Sequence, residues 1–177
     1  MKGRILTWDN IIKTSFTRPS RCVMCCQMEE STNHLLNTCI FIPDICDWGV
    51  AIFHQSHRKK TSIQRMIENW RDNFTKNEMV ILLWNLLLGC IVWNVWKERN
   101  CWIFQNREWP NQAIKDKIIH HMRETFLICV WSMQAERPSE HELAILEFFG
   151  LSLLVLSNRG LNPRMSQVEQ LMWSPPC

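Results

Sequence analysis

One apolar stretch dominates the pattern along the chain: Met79 to Trp96 runs eighteen residues without a charge and ends against Lys97 and Arg99. Around it, apolar positions recur at helical spacing, and no run of strict apolar/polar alternation is long enough to require a sheet. Thr7 fits an N-cap for a short helix through Phe16, which Arg18-Pro19-Ser20 breaks. Residues 21–39 show little periodicity, so they predict a loop-rich knuckle, with a turn of helix around His34 to Asn37 and any strands short and nearby. Pro43 suits the first turn of the next helix, burying Ile45, Trp48, Ile52 and Phe53. The polar, basic stretch 55–61 is the best linker. Beyond it, Thr61 with Gln64, Thr75 with Glu78 and Ser139 with Glu142 each fit a capping box, in which hydroxyl and carboxyl satisfy the free amides of a helix start. Pro110 is expected to open a helix running to about Gln134, and the last box one from Leu143 to Leu156. The predicted class is therefore mainly α: an N-terminal module over residues 1–57, a helical region over 61–156 and an irregular tail over 157–177.

Composition narrows this picture. With 46% hydrophobic residues, 21% charged residues and five glycines in 177, the chain has the profile of a folded protein. A net charge of +3 is too mild to signal nucleic-acid binding by itself. The local basic positions are more suggestive: Arg18 and Arg21 flank the first cysteine pair, and Arg58, Lys59 and Lys60 form the only basic triple. These five are the candidate phosphate contacts, although a solvated loop is the ordinary reading of such a run. Met1 to Lys13 has no continuous apolar segment of signal-peptide type, so an intracellular location, nucleus or cytoplasm rather than secretion, is expected. There, nine cysteines serve as thiols or metal ligands rather than disulfides.

Four of the potential ligands fall within eighteen residues. Cys22 and Cys25, then His34, then Cys39 give C-x2-C-x8-H-x4-C. Two cysteines separated by two residues can turn both sulfurs inward from one tight turn, and a histidine and cysteine on a following helical turn can close a tetrahedron. With all four positions filled by protein, such a site is structural, since no position is left to activate water. Cys26 is a rival ligand beside Cys25, and Cys46 a more remote one. Structural zinc contributes on the order of 10 kcal/mol to folding in small domains. Residues 1–50 have little apolar mass, so one zinc ion would serve as their core.

The segments Leu6-Thr7-Trp8-Asp9-Asn10, Pro19-Ser20-Arg21-Cys22-Val23-Met24-Cys25 and Glu30-Ser31-Thr32-Asn33-His34-Leu35-Leu36-Asn37-Thr38-Cys39 resemble the reverse-transcriptase zinc-binding domain of plant non-LTR (LINE-like) retrotransposons. That family shows a T-x-D-N-L helix, C-x-x-C, an acidic residue shortly before H-L, and a final cysteine. Ile91-Val92-Trp93-Asn94-Val95-Trp96-Lys97-Glu98-Arg99-Asn100, followed by Ile103-Phe104, is similar to the W-x-I-W-K-x-R-N-x-x-I-F helix that often follows the module. The matches cover residues 4–48 and 80–104. The resemblance implies zinc held by Cys22, Cys25, His34 and Cys39, with Cys26 standing where the family usually has a small residue, often glycine.

Catalytic patterns are missing. Two-metal polymerase chemistry needs paired aspartates, and the five aspartates include no adjacent pair; there is no tyrosine, Walker A loop, nucleophile elbow or HExxH. His120 and His121 point about 100° apart on a helix, an awkward shared ligation. The expected function is thus a non-catalytic zinc module of a retrotransposon-derived reading frame that binds RNA or DNA. The alternatives are a zinc-stapled module that docks a protein on its Trp-rich helix, and an expressed remnant without function. The Met79–Trp96 run just reaches the length of a membrane span, but Asn85, Gly89 and Asn94 interrupt it, and burial among helices is the simpler expectation. Trp93, Trp96, Arg99 and Asn100 could alternatively form a stacking and phosphate-binding surface.

Overall fold

The computed structural model describes residues 21–55, 63–70, 75–129 and 138–151. Sequence expectations for the Thr7–Phe16 helix, the Thr61 capping box and the tail from 157 lie outside these residues. Among the described residues, five α-helices follow the metal-ligand knuckle: α1, Ile42–Ala51; α2, Ile63–Trp70; α3, Glu78–Gln105; α4, Asn111–Cys129; and α5, Glu140–Phe148. Among the described residues, strand pairing is limited to one isolated antiparallel bridge between Arg21 and Glu29.

Helix α3 is the axis of the fold. A helix that is apolar on most sides needs neighbours on most sides, and α3 has them. Val80, Leu83, Leu87, Ile91 and Val95 are buried, with α1, α4 and α5 all packed against it. Gly49 lets α1 come close: a Cβ there would sit 3.2 Å from methyls of both Leu87 and Ile91. Helix α2 is clamped to α3 by a reciprocal pair of bonds, in which the Trp70 indole donates to the Trp84 carbonyl (2.9 Å) and the Trp84 indole to the Trp70 carbonyl (2.7 Å). Their rings stack at 4.5 Å. By length and composition α3 could cross a membrane, but half of its most apolar window is buried inside the protein. At its far end Asn106 takes a left-handed conformation (φ 51°), and the short connection to Asn111 brings α4 back along α3. Ile114, Ile118, Met122 and Phe126 recur at helical spacing and form the buried stripe of α4.

The caps correct the sequence reading in one place. Thr75 does not form a capping box with Glu78; Asn77 is the N-cap of α3, its side-chain oxygen accepting from the amides of Met79 (3.1 Å) and Val80 (3.3 Å). The Thr75 hydroxyl is engaged elsewhere, donating to the Glu142 carboxylate while accepting from the Asn77 amide. The Ser139–Glu142 box is present as expected. The helix it opens stops at Phe148 rather than near Leu156, because Gly150 turns left-handed (φ 66°) and sends its amide back to Glu147. Pro43 lies in the first turn of α1, which buries Ile45; Phe53 is buried just beyond the helix end.

Candidate metal centre

Two local devices bring the four donors together. In the first, the chain turns back between Cys22 and Met28: the Cys26 amide donates to the Cys22 carbonyl (2.8 Å) and the Cys22 amide to the Met28 carbonyl (2.8 Å). Cys26 takes a left-handed backbone (φ 54°), which carries its own side chain out to solvent. In the second, a single π-helical turn over His34–Thr38 ends with the Cys39 amide donating to the His34 carbonyl at 2.7 Å. That bond spans five residues, so it closes the H-x4-C spacing and sets histidine and cysteine beside each other. Ser31 anchors the start of the turn: its hydroxyl accepts from the His34 amide and its carbonyl from the Leu35 amide.

The result is a cluster of Cys22 Sγ, Cys25 Sγ, Cys39 Sγ and a His34 ring nitrogen, all within 4.8 Å of one another. The Cys22 and Cys39 sulfurs are 3.9 Å apart, and Cys25 Sγ lies 3.2 Å from His34 Nε2. A tetrahedron with zinc–sulfur bonds of about 2.3 Å and a zinc–nitrogen bond of about 2.0 Å has edges of about 3.8 and 3.5 Å. Those two separations fall within a few tenths of an ångström of the matching edges, and the other donor pairs lie within 4.8 Å. They are far longer than a disulfide, whose sulfurs sit about 2.05 Å apart.

Cys22 and Cys39 are fully buried and His34 nearly so. A hydrogen bond from the Cys39 thiol lowers the Cys22 pKa to about 5, and the same contact, with burial, drives that of Cys39 upward. Two buried sulfurs sharing one proton form a pocket of negative potential that a soft dication satisfies better than a proton does. With Nε2 turned to the cysteine cluster, His34 Nδ1 is left facing Thr38 Oγ1 at 3.3 Å, a partner that helps to orient the ring.

The rival thiols are accounted for. Cys26 is exposed and its sulfur reaches the Val23 carbonyl, not the cluster. Cys46 is buried in the core, where loss of solvation pushes its pKa up to about 12. Of the basic candidates, Arg21 is exposed beside the knuckle; Arg18, Arg58, Lys59 and Lys60 lie outside the described residues. His120 and His121 do not act together: His120 is exposed and meets Glu124 at 3.2 Å.

Arg99 corrects the reading of a phosphate-binding surface, and its partner explains why. Glu30, four residues before His34, accepts from Arg99 Nε (3.1 Å) and Nη2 (2.5 Å), and both side chains are buried. Arg99 is therefore committed to the protein interior. The neighbouring Glu98 is also buried, accepting from the Trp102 indole and the Trp109 amide, each at 2.7 Å. Sequence reasoning missed both roles; the acidic residue before His-Leu and the Lys-Glu-Arg run of the second motif were the signals available.

The sequence model of a family described as zinc-binding in reverse transcriptase matches residues 1–45. No curated protein and no solved structure matches the chain. The matched span contains all four donors, and their geometry fits one zinc ion, so the N-terminal part of this chain carries a zinc-binding domain of the reverse-transcriptase type.

Proposed function

We propose that the chain is a non-catalytic zinc module from a LINE-like retrotransposon reading frame, of the kind seen in plants, and that it binds RNA or DNA inside the cell. The observation that carries the reading is the closed Cys3His cluster at the centre of a segment matched by a reverse-transcriptase family. With four protein donors zinc has no open position, so its work is to hold the knuckle in shape and not to polarise a substrate. A knuckle so held presents Arg21 on its outer surface, and a guanidinium in that setting suits a phosphate.

The test uses the full chain. Zinc content and the absorption of the cobalt-substituted protein are compared with those of Cys22→Ser and His34→Ala variants, and each protein is titrated with a labelled single-stranded RNA and a DNA of equal length at several salt concentrations. One tightly held zinc, lost in both variants, with binding that weakens steeply as salt rises, supports the reading. Stoichiometric zinc with no oligonucleotide binding at low salt would sink the nucleic-acid half and leave a zinc-stapled protein-interaction module or a functionless remnant.

A further inference from the structure

Beyond the knuckle, the outer face of α3 carries an arrangement that the metal site does not explain. Trp93, Lys97, Asn100 and Phe104 stand at i, i+4, i+7 and i+11, one face of a helix. Trp93 is 46% exposed and Phe104 77%. The Trp93 ring stacks on Trp96 at 5.1 Å with 29° between planes, so an indole face is already set parallel to a second one. A helix face this aromatic in the middle of a folded protein has a partner to find.

The charges around it indicate which kind. Lys97 and Lys117 are half-buried and Arg107 is exposed, and none of the three pairs with a carboxylate among the described residues. Arg107 and Lys117 both lie over the Trp109 ring, at 4.0 and 3.7 Å from its centroid. The indole N–H groups of Trp96 and Trp109 are buried and have no acceptor among the described residues. Lys97 lies close enough to α4 for its charge to add to the burial that lowers the His121 pKa against the opposing pull of Glu124. Lys117 and His121 stand one turn apart on α4, the helix that packs along α3. From Trp93 to Phe104 is eleven residues, about 16 Å of helical rise, the span of a few nucleotides.

We propose that this face is a binding surface for single-stranded nucleic acid, with bases stacking on Trp93 and Phe104 and phosphates held by Lys97, Arg107 and Lys117. The proposal rests on the nucleic-acid reading above and locates it on a second surface, away from the zinc knuckle. Stacked indoles interleaved with unpaired cations suit a chain of π faces joined by phosphates, since every base stacks and every linker is anionic. A protein partner would gain from the aromatic rings but would leave three cations to desolvate.

The experiment titrates full-length, zinc-loaded protein with fluorescein-labelled oligo(U) and oligo(dT) by anisotropy. It compares wild type with Trp93→Ala, Trp93→Phe and the double variant Lys97→Ala/Lys117→Ala, each checked for unchanged zinc content and melting. Trp93→Ala is expected to weaken binding about tenfold or more, with Trp93→Phe recovering most of it. The double variant should lower the slope of log affinity against log salt by about 1.4, two phosphate contacts at about 0.7 each. Wild-type affinity and salt slope in all variants, with binding lost only on Arg21→Ala or zinc removal, would overturn this surface and leave the nucleic-acid reading standing. Failure of the wild type to bind either oligonucleotide would overturn both. A change of self-association in Trp93→Ala without a change of oligonucleotide affinity would mark the face as a protein contact and also overturn the proposal.

Discussion

Replacing Arg99 by methionine keeps most of the stem and removes the guanidinium, so Glu30 stays buried in the metal loop without the two hydrogen bonds that the guanidinium donated. The two side chains are among the most enclosed polar groups in the protein, Glu30 at 3% exposure and Arg99 at 5%. Removing one member of such a pair costs about 3–5 kcal/mol, because the remaining charge cannot recover its hydration. A well-packed apolar replacement of both members often costs little. The single variant Arg99→Met should therefore lose 3 kcal/mol or more, on the order of that range, while Glu30→Leu/Arg99→Met should fall within about 1 kcal/mol of wild type. The difference is the coupling of the pair.

Glu30 lies between Cys25 and His34, so the loss is expected to reach the metal. Where folding and zinc binding are coupled, about 3 kcal/mol lowers apparent zinc affinity on the order of a hundredfold. Urea unfolding of the zinc-loaded chain gives the first quantity, and competition with a chromophoric chelator gives the second. If Arg99→Met unfolds within 1 kcal/mol of wild type, roughly the cost of an exposed pair, the reasoning that α3 braces the knuckle through this contact is refuted. If the double variant is as unstable as the single one, the role belongs to the packing of the arginine stem and not to the ion pair.

Three further outcomes follow from local geometry. Cys26→Gly should keep the zinc and leave stability unchanged or raised by up to about 1 kcal/mol, since φ 54° is strained for a residue with a Cβ; loss of zinc by metal analysis would contradict its exclusion from the ligand set. Asn77→Ala should cost about 1 kcal/mol in urea unfolding, as two amides at the start of α3 lose their acceptor, whereas Glu78→Ala should cost little. Burial raises the Glu142 pKa, but hydrogen bonds from Thr75 and Ser139 outweigh it and leave the carboxyl below its usual value. A depressed carboxyl stabilises the fold at pH above its unfolded value and loses that contribution as pH falls through the folded one. Acid melting curves should accordingly show Thr75→Ala less stable than wild type near neutrality, the gap narrowing below about pH 4; a constant gap would point to packing instead.

What the sequence made legible was local in origin. The C-x2-C and H-x4-C spacings survive as two short devices because each is closed by backbone bonds within its own few residues, Cys26 to Cys22 and Cys39 to His34. Ser139-x-x-Glu142 was readable for the same reason. The Thr75 box failed because a residue 67 positions away, Glu142, takes the threonine hydroxyl, and Asn77 was free to cap in its place. The end of α5 falls short of the expected Leu156 because one glycine with positive φ outweighs a continuing apolar pattern.

The same contrast separates Arg99 from Lys97, two cations in one basic run at the end of an apolar helix. By sequence they are equivalent. On the helix they lie on different faces, and 69 residues upstream a carboxylate in the metal loop meets only one of them. That partner turns Arg99 into an internal strut and leaves Lys97 as a charge at the edge of an exposed aromatic face. The Trp93–Arg99 stretch therefore does two jobs within two turns: its arginine ties α3 to the zinc loop, and Trp93 and Lys97 lie on another face of the helix. A substitution of Arg99 is expected to act through folding and zinc, and one of Trp93 or Lys97, on the proposed surface, through oligonucleotide binding alone, so the two effects are separable in one set of proteins.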